Sequence, residues 1–79
     1  MRKMFRFQSV ETNCVSADLG RYRSYGILAE KREGDGWTQV GLVPDVSCDR
    51  EFVLGLAERC TRGQLSPLSL VDVIVDSLP

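Results

Sequence analysis

The sequence predicts an α+β fold: a three-stranded antiparallel β-meander followed by two α-helices packed on one face, in the order β-β-β-α-α. Three observations predict it. Phe5 and Phe7 alternate with polar residues near the N-terminus, two β-rich runs flank Glu33-Gly34-Asp35-Gly36, and Ser69, Asp72 and Asp76 recur at a 3-4 spacing in a valine-rich tail. The first two are signatures of strands and a hairpin, the third of a helix.

The alternation of Phe5 and Phe7 with Arg6 and Gln8 suits a strand from about Lys3 to Val10. Residues 12–21, polar and containing a glycine, read as a connection. In the hairpin that follows, a loop at 33–36 opposes Arg32 to Trp37, Glu30 to Gln39 and Leu28 to Gly41 on one face. The other face then pairs Ala29 with Val40 and Ile27 with Leu42, takes Tyr25 with it, and is wholly apolar. Pro44 and Asp45 are expected to end the second hairpin strand, because proline cannot donate to a ladder.

Ser47 to Asp49 supply capping oxygens for a helix whose inner face is Phe52, Val53, Leu56, Ala57 and Cys60. Gly63 stands where a left-handed C-terminal residue is wanted, with Leu65 able to pack back. The tail SPLSLVDVIVDSLP has strand-like residue preference but helical spacing. Ser69, Asp72 and Asp76 share one solvated stripe of a helix and leave Leu68, Val71, Ile74, Val75 and Leu78 for the core. Its start is either Ser66 as N-cap with Pro67 at the first helical position, or a capping box of Ser69 and Asp72 one turn later.

Seventy-nine residues suit one domain, 1–79, and 43% hydrophobic with 27% charged content is that of a globular chain rather than a disordered one. A net charge of −1 argues against a general polyanion binder. The charge is uneven: residues 1–36 carry seven basic and five acidic groups, residues 37–79 three and six. Cys14, Cys48 and Cys60 are odd in number and widely spaced, which supports neither a disulfide framework nor a CxxC knuckle and suits the reducing cytosol. The N-terminus lacks the apolar core of a signal peptide, and no run reaches the ~20 apolar residues of a membrane span. A cytoplasmic protein with no membrane partner is expected.

The chain contains no histidine, which removes Ser-His and Cys-His nucleophilic sites. Lys3 and Lys31 lack the buried setting that tunes a lysine base, and Asp72 with Asp76 read as a solvated stripe. Glu33-Gly34-Asp35-Gly36 joins two strands and carries one aspartate between glycines, so turn chemistry explains it better than a calcium or phosphate loop. Cys60 falls on an apolar helix face. Cys48 sits near a helix N-terminus, where a thiolate would be favoured, although no base or second thiol accompanies it in sequence. No catalytic residue, metal ligand or cofactor is expected.

Two surfaces remain. Arg2, Lys3, Arg6, Arg21 and Arg23 lie on the first strand and the start of the second, with Phe5, Phe7 and Tyr22 nearby; a convergent patch there would suit an anionic ligand or nucleic acid. Met4, Val10, Leu28, Trp37 and Tyr22 are expected on the sheet face away from the helices, where several apolar groups together mark an interface. Arg32 opposite Trp37 offers a cation-π contact on that face.

The order of Tyr25-Gly26-Ile27, a charged hairpin, a helix ending in Cys60, then Leu65-Ser66-Pro67-Leu68-Ser69-Leu70 and Val71-Asp72-Val73-Ile74-Val75-Asp76 is similar to a small family of uncharacterised bacterial proteins. That family is typical of anaerobic spore-forming Gram-positive bacteria and is classed as a domain of unknown function. The resemblance spans about Tyr25 to Leu78 and implies a bacterial cytoplasmic protein, with no activity, ligand or catalytic residue attached. The expectation is a small protein-interaction or regulatory module, a homodimer or the partner of another protein, with a nucleic-acid-binding regulator as the alternative.

Overall fold

In the computed structural model, which describes residues 4–78, strands β1 (Phe5–Ser16), β2 (Gly20–Glu33) and β3 (Gly36–Ser47) form one antiparallel sheet in the order β1-β2-β3. Helix α1 (Arg50–Arg62), a 3₁₀ turn (Pro67–Ser69) and helix α2 (Leu70–Ser77) follow. Phe7, Ile27 and Ala29 from the sheet meet Val53, Leu56, Ala57 and Cys60 of α1 and Leu70 and Ile74 at the start and middle of α2. The predicted meander with two helices on one side is the observed architecture.

The first hairpin is longer than expected. Residues 12–16 and 20–21, read as connection, are paired strand, and only residues 17–19 turn the chain. Gly20 takes the positive φ (+70°) that closes such a three-residue loop, and the Ser16 hydroxyl accepts from the amides of Asp18 and Leu19. These residues carry no apolar alternation because little packs on this end of the ribbon: Glu11, Asn13, Val15, Arg21 and Arg23 are all exposed. Fourteen residues of β2 at about 3.3 Å each account for the molecule's 46 Å length.

The second hairpin departs from the expected register in two places. Near the loop the pairing is as predicted, with Arg32 opposite Trp37 and Glu30 opposite Gln39. The loop itself is only Gly34-Asp35, with Gly34 at φ +59° and Glu33 paired to Gly36, the glycine-first pattern of a type II′ turn. Then an extra residue enters β3. Ala29 faces Gly41, Leu28 faces Leu42 and Ile27 faces Val43, which leaves Val40 unmatched in a bulge. Every side chain beyond a bulge changes face, so Val43 packs against the core while Leu42 is 47% exposed; Val40, in the bulge itself, is 43% exposed, and both differ from the burial expected of them.

The second break is at Gly26. Tyr25 pairs with Ser47 and Ile27 with Val43, so Pro44, Asp45 and Val46 arch past a single β2 residue, and β3 continues beyond the proline expected to end it. Proline is tolerated because the arch falls on an edge strand where the ladder is already interrupted. The arch comes so close that a Cβ on Gly26 would stand 2.1 Å from the Val43 carbonyl oxygen. The middle residue of Tyr25-Gly26-Ile27 is glycine for this steric reason.

Helix α1 begins as predicted: the Asp49 carboxylate accepts from the Phe52 amide at 3.2 Å, and the Ser47 hydroxyl accepts from the Asp49 amide at 3.0 Å. Its end differs. Gly63 stays right-handed (φ −80°), and Gln64 takes the left-handed position (φ +48°), with the Leu65 amide bonded back to the Cys60 carbonyl. The reason a non-glycine residue is held there lies in its side chain. Gln64 Oε1 accepts from the amides of Met4 (2.8 Å) and Phe5 (3.0 Å), and Nε2 donates to the Phe5 carbonyl (3.0 Å). Together with the Thr61 hydroxyl, which accepts from the Phe7 amide at 2.9 Å, it closes the outer edge of β1 over residues 5–7.

The tail is helical, started by Ser66 and Pro67 through a 3₁₀ turn; the Ser66 hydroxyl accepts from the Leu68 amide, whereas the Ser69 side chain makes no cap bond. Its inner face is the expected one at Ile74 alone. Leu70 and Ile74 are buried and Val73 partly so, while Leu68 is 95%, Val71 59%, Val75 61% and Leu78 40% exposed. Two aspartates are the only charges on this helix. They mark one solvated side without specifying which part of the remaining apolar arc turns inward.

Candidate functional surfaces

The outer sheet face is organised around Glu30. Its carboxylate accepts from Arg6 Nε at 3.0 Å and from Gln8 Nε2 at 2.6 Å, and Arg6 also reaches it through its terminal nitrogen at 3.0 Å. The Arg6 guanidinium lies 4.4 Å from the centroid of the Trp37 ring and that of Arg32 at 5.8 Å. Trp37 is therefore half-buried by its own chain. Arg32 contributes as the cross-strand position predicted, but the closer cation is Arg6, which sequence reasoning had assigned to an anion-binding patch.

Beside this cluster the face is apolar. Leu28, half-buried, lies between Gln8 and Leu42 in the register, and Met4, whose carbonyl accepts from the Arg32 amide, is 55% exposed. Val10, half-buried, pairs with Gly26. Leu42 joins the patch only because of the bulge, which no residue signal announced.

Tyr22 does not belong to it. Ten residues along β2 from Arg32, about 33 Å of strand, its hydroxyl stands 3.4 Å from the Asp45 carboxylate. The fully buried Ser24 hydroxyl donates to the same carboxylate and lies 3.3 Å from the Ser47 carbonyl. Contact with the Cys14 side chain and then the charge of Asp45 raise the Tyr22 phenol above its ordinary value, so the group is neutral across the physiological range. This network fastens the Pro44–Val46 arch to β2.

The arginines do not converge. Arg6 is paired with Glu30, and Arg23 is paired with Glu11 at 3.0 Å. Arg23 and Arg21 lie opposite Asn13 and Val15, seven and nine residues further along β1, the nearer about 23 Å from Arg6 at ~3.3 Å per residue. Arg2 and Lys3, expected in the same patch, lie outside the described residues.

Cys48 is exposed, next to the Asp49 cap, and Cys14 is half-buried. Cys60 is buried, and burial pushes its thiol up against the opposing effect of Arg59. Among the described residues no three His, Cys, Asp or Glu side chains group as metal ligands would. A groove of about 250 Å³ between the helices is lined by Leu56, Cys60, Leu65 and Val73 with Arg59 as its charged residue, below the ~300 Å³ usual for a small-molecule site. No helix among the described residues is long and apolar enough to cross a membrane.

A family model described as a family of unknown function (DUF6514) matches residues 5–79. The chain belongs to that family. The match takes in β1, which the sequence resemblance from Tyr25 onward had left out, so the clasp of Gln64 and Thr61 on β1 joins two parts of one DUF6514 domain. No curated protein and no solved structure matches the chain.

Proposed function

We propose that this DUF6514 chain is a non-catalytic protein-interaction module that pairs with a second copy through the outer face of its sheet, in the bacterial cytoplasm that the sequence resemblance implies. The observation that carries the reading is the outer-face patch of half-buried Leu28 with exposed Leu42 and Met4. Beside it Arg6 is paired with Glu30 and packs with Arg32 on Trp37, so the charged end of this face is held by its own chain. A domain of this size gains core by such pairing, and two-fold association is the commonest form. Arg6 and Arg23, far apart along the ribbon and each paired with a glutamate, favour this reading over the nucleic-acid alternative.

The test is the mass in solution of the wild type and of a Leu28→Lys/Leu42→Lys variant. Trp37 is left intact because Arg6 and Arg32 pack on it. The expected result is a wild-type dimer and a folded monomeric variant. A monomeric wild type, or a variant of unchanged mass, refutes the pairing.

A further inference from the structure

Strand β1 leaves one side of its backbone open. The Arg32 amide donates to the Met4 carbonyl, so the even-numbered residues of β1 bond to β2, and the amides of Phe5 and Phe7 point the other way, to Gln64 and Thr61. The register runs from Phe5 to Ser16 without a shift, so the same alternation turns the amides and carbonyls of Ser9, Glu11, Asn13 and Val15 outward. Among the described residues nothing in the chain hydrogen-bonds them.

Elsewhere the sheet's edges are guarded. Gln64 and Thr61 close β1 over residues 5–7, and the opposite edge, β3, is interrupted by the bulge at Val40 and by Pro44. From Ser9 to Val15, about 20 Å at ~3.3 Å per residue, β1 has no proline, no lysine and no bulge. This stretch does not serve the core, to which β1 contributes Phe5 and Phe7. A bare edge of this kind accepts an extended strand.

The side chains beside the edge indicate which strand. Val10, Thr12 and Cys14, half-buried, point to the outer face and favour β-branched neighbours. On the helix side Glu11 is paired with Arg23, while Arg21, in the row of Val15, is exposed and makes no ion pair among the described residues, with Asp18 of the adjoining turn included. A carboxylate in that row would match it. In the longest register open to a second copy, Ser9 faces Val15 and brings Arg21 none. The register that brings Glu11 there shares a glutamate already paired with Arg23 and carries Ser9 into the turn at residues 17–19.

We propose that the β1 edge from Ser9 to Val15 takes an extended segment of another protein as an added antiparallel strand, with β-branched side chains beside Val10, Thr12 and Cys14 and a carboxylate opposite Val15 for Arg21. The site is separate from the Leu28–Leu42 patch and does not rest on the sheet-face pairing.

The probes are a synthetic peptide alternating valine with threonine, with one glutamate placed to face Val15, and its twin with lysine there. Titrations are read by amide hydrogen exchange of the full chain. The glutamate peptide is expected to bind saturably and to slow the amides of Ser9, Glu11, Asn13 and Val15 selectively, because those of Val10, Thr12 and Cys14 are already protected by β2. The lysine twin binds about fivefold more weakly at low salt, and Arg21→Glu reverses that order. Asn13→Pro removes one outward amide while sparing the bonds to β2, so it keeps the fold and weakens binding about tenfold or more. Equal binding to Leu28→Lys/Leu42→Lys separates the edge from the sheet face, whose own test reads mass instead. No saturable binding, protection that does not alternate, an unreversed order, or full binding by a folded Asn13→Pro variant overturns the proposal. A mass that falls below that of the wild type on the same substitution also overturns it and assigns the edge to a second copy.

Discussion

At Gly26 a single methyl group would collide with the Val43 carbonyl, whereas at Gln64 a full side chain sits in a conformation that glycine would adopt at less cost. Gln64 holds it because its amide group substitutes for a neighbouring strand at Met4 and Phe5. Replacing Gln64 by glycine relieves about 1 kcal/mol of left-handed strain and removes four hydrogen bonds of about 0.5–1.5 kcal/mol each, three to β1 and one to the Thr61 carbonyl. The expected net is a loss of about 1 kcal/mol or more in urea unfolding, with faster hydrogen exchange of the Phe5 amide as its local signature. Unchanged Phe5 protection in Gln64→Gly contradicts the clasp. Gly63 looked like the helix terminator because glycine is the common residue at such an end; the competing use of Gln64 depends on β1, about sixty residues away in the chain.

Among the elements, α2 shows most clearly what spacing specifies. A polar residue every three or four positions requires a helix, but two aspartates occupy one side only and leave an apolar arc wider than the core needs. The 3₁₀ turn begun by Ser66 and Pro67 sets the rotation that brings Leu70 and Ile74 inward. Ile74→Asp, which puts an unpaired charge where 4% of the residue is exposed, is expected to cost several kcal/mol, about 3 or more. Val71→Asp, on the exposed side of that helix, is expected to change stability by no more than about 0.5 kcal/mol. Equal costs in denaturant titrations contradict the assigned face. The β2–β3 ribbon carries a similar lesson, since its register was readable near the turn and lost at Val40, where one added residue changes every later side chain's face.

For the molecule as a whole, the sheet separates Arg6 of β1 from Arg21 and Arg23 at the start of β2, while Arg6 and Arg32 share Trp37. Arg6 and Arg23 lie at distant positions of the same two-stranded ribbon, each engaged by a glutamate. Nucleic-acid binding by several converging arginines weakens steeply with salt as counterions are released, with log K falling by about 0.7–0.9 per phosphate neutralised against log salt. Fluorescence anisotropy with labelled single- and double-stranded DNA at low ionic strength is expected to detect no such binding. A steep salt slope restores the regulator reading and displaces the sheet face as the functional surface.

The sequence by itself determined the α+β class, the order of elements, the cap of α1 at Asp49, most of the α1 inner face and the cross-strand contact of Arg32 with Trp37. These are local: alternation, helical spacing, capping chemistry and hairpin pairing act over a few residues or across one turn. Only the tertiary structure decided that β1 and β2 extend as one long ribbon, that Leu42 faces outward, that Arg6 rests on Trp37, and that Val71 and Val75 are exposed. The physical reason is common to all four. An exposed strand has no apolar alternation, a bulge has no residue signature, and a helix with a surplus of apolar residues chooses its buried face by fit against the sheet. The outer-face patch lies among these positions, so the apolar content was visible in the chain while its outward side was decided by packing.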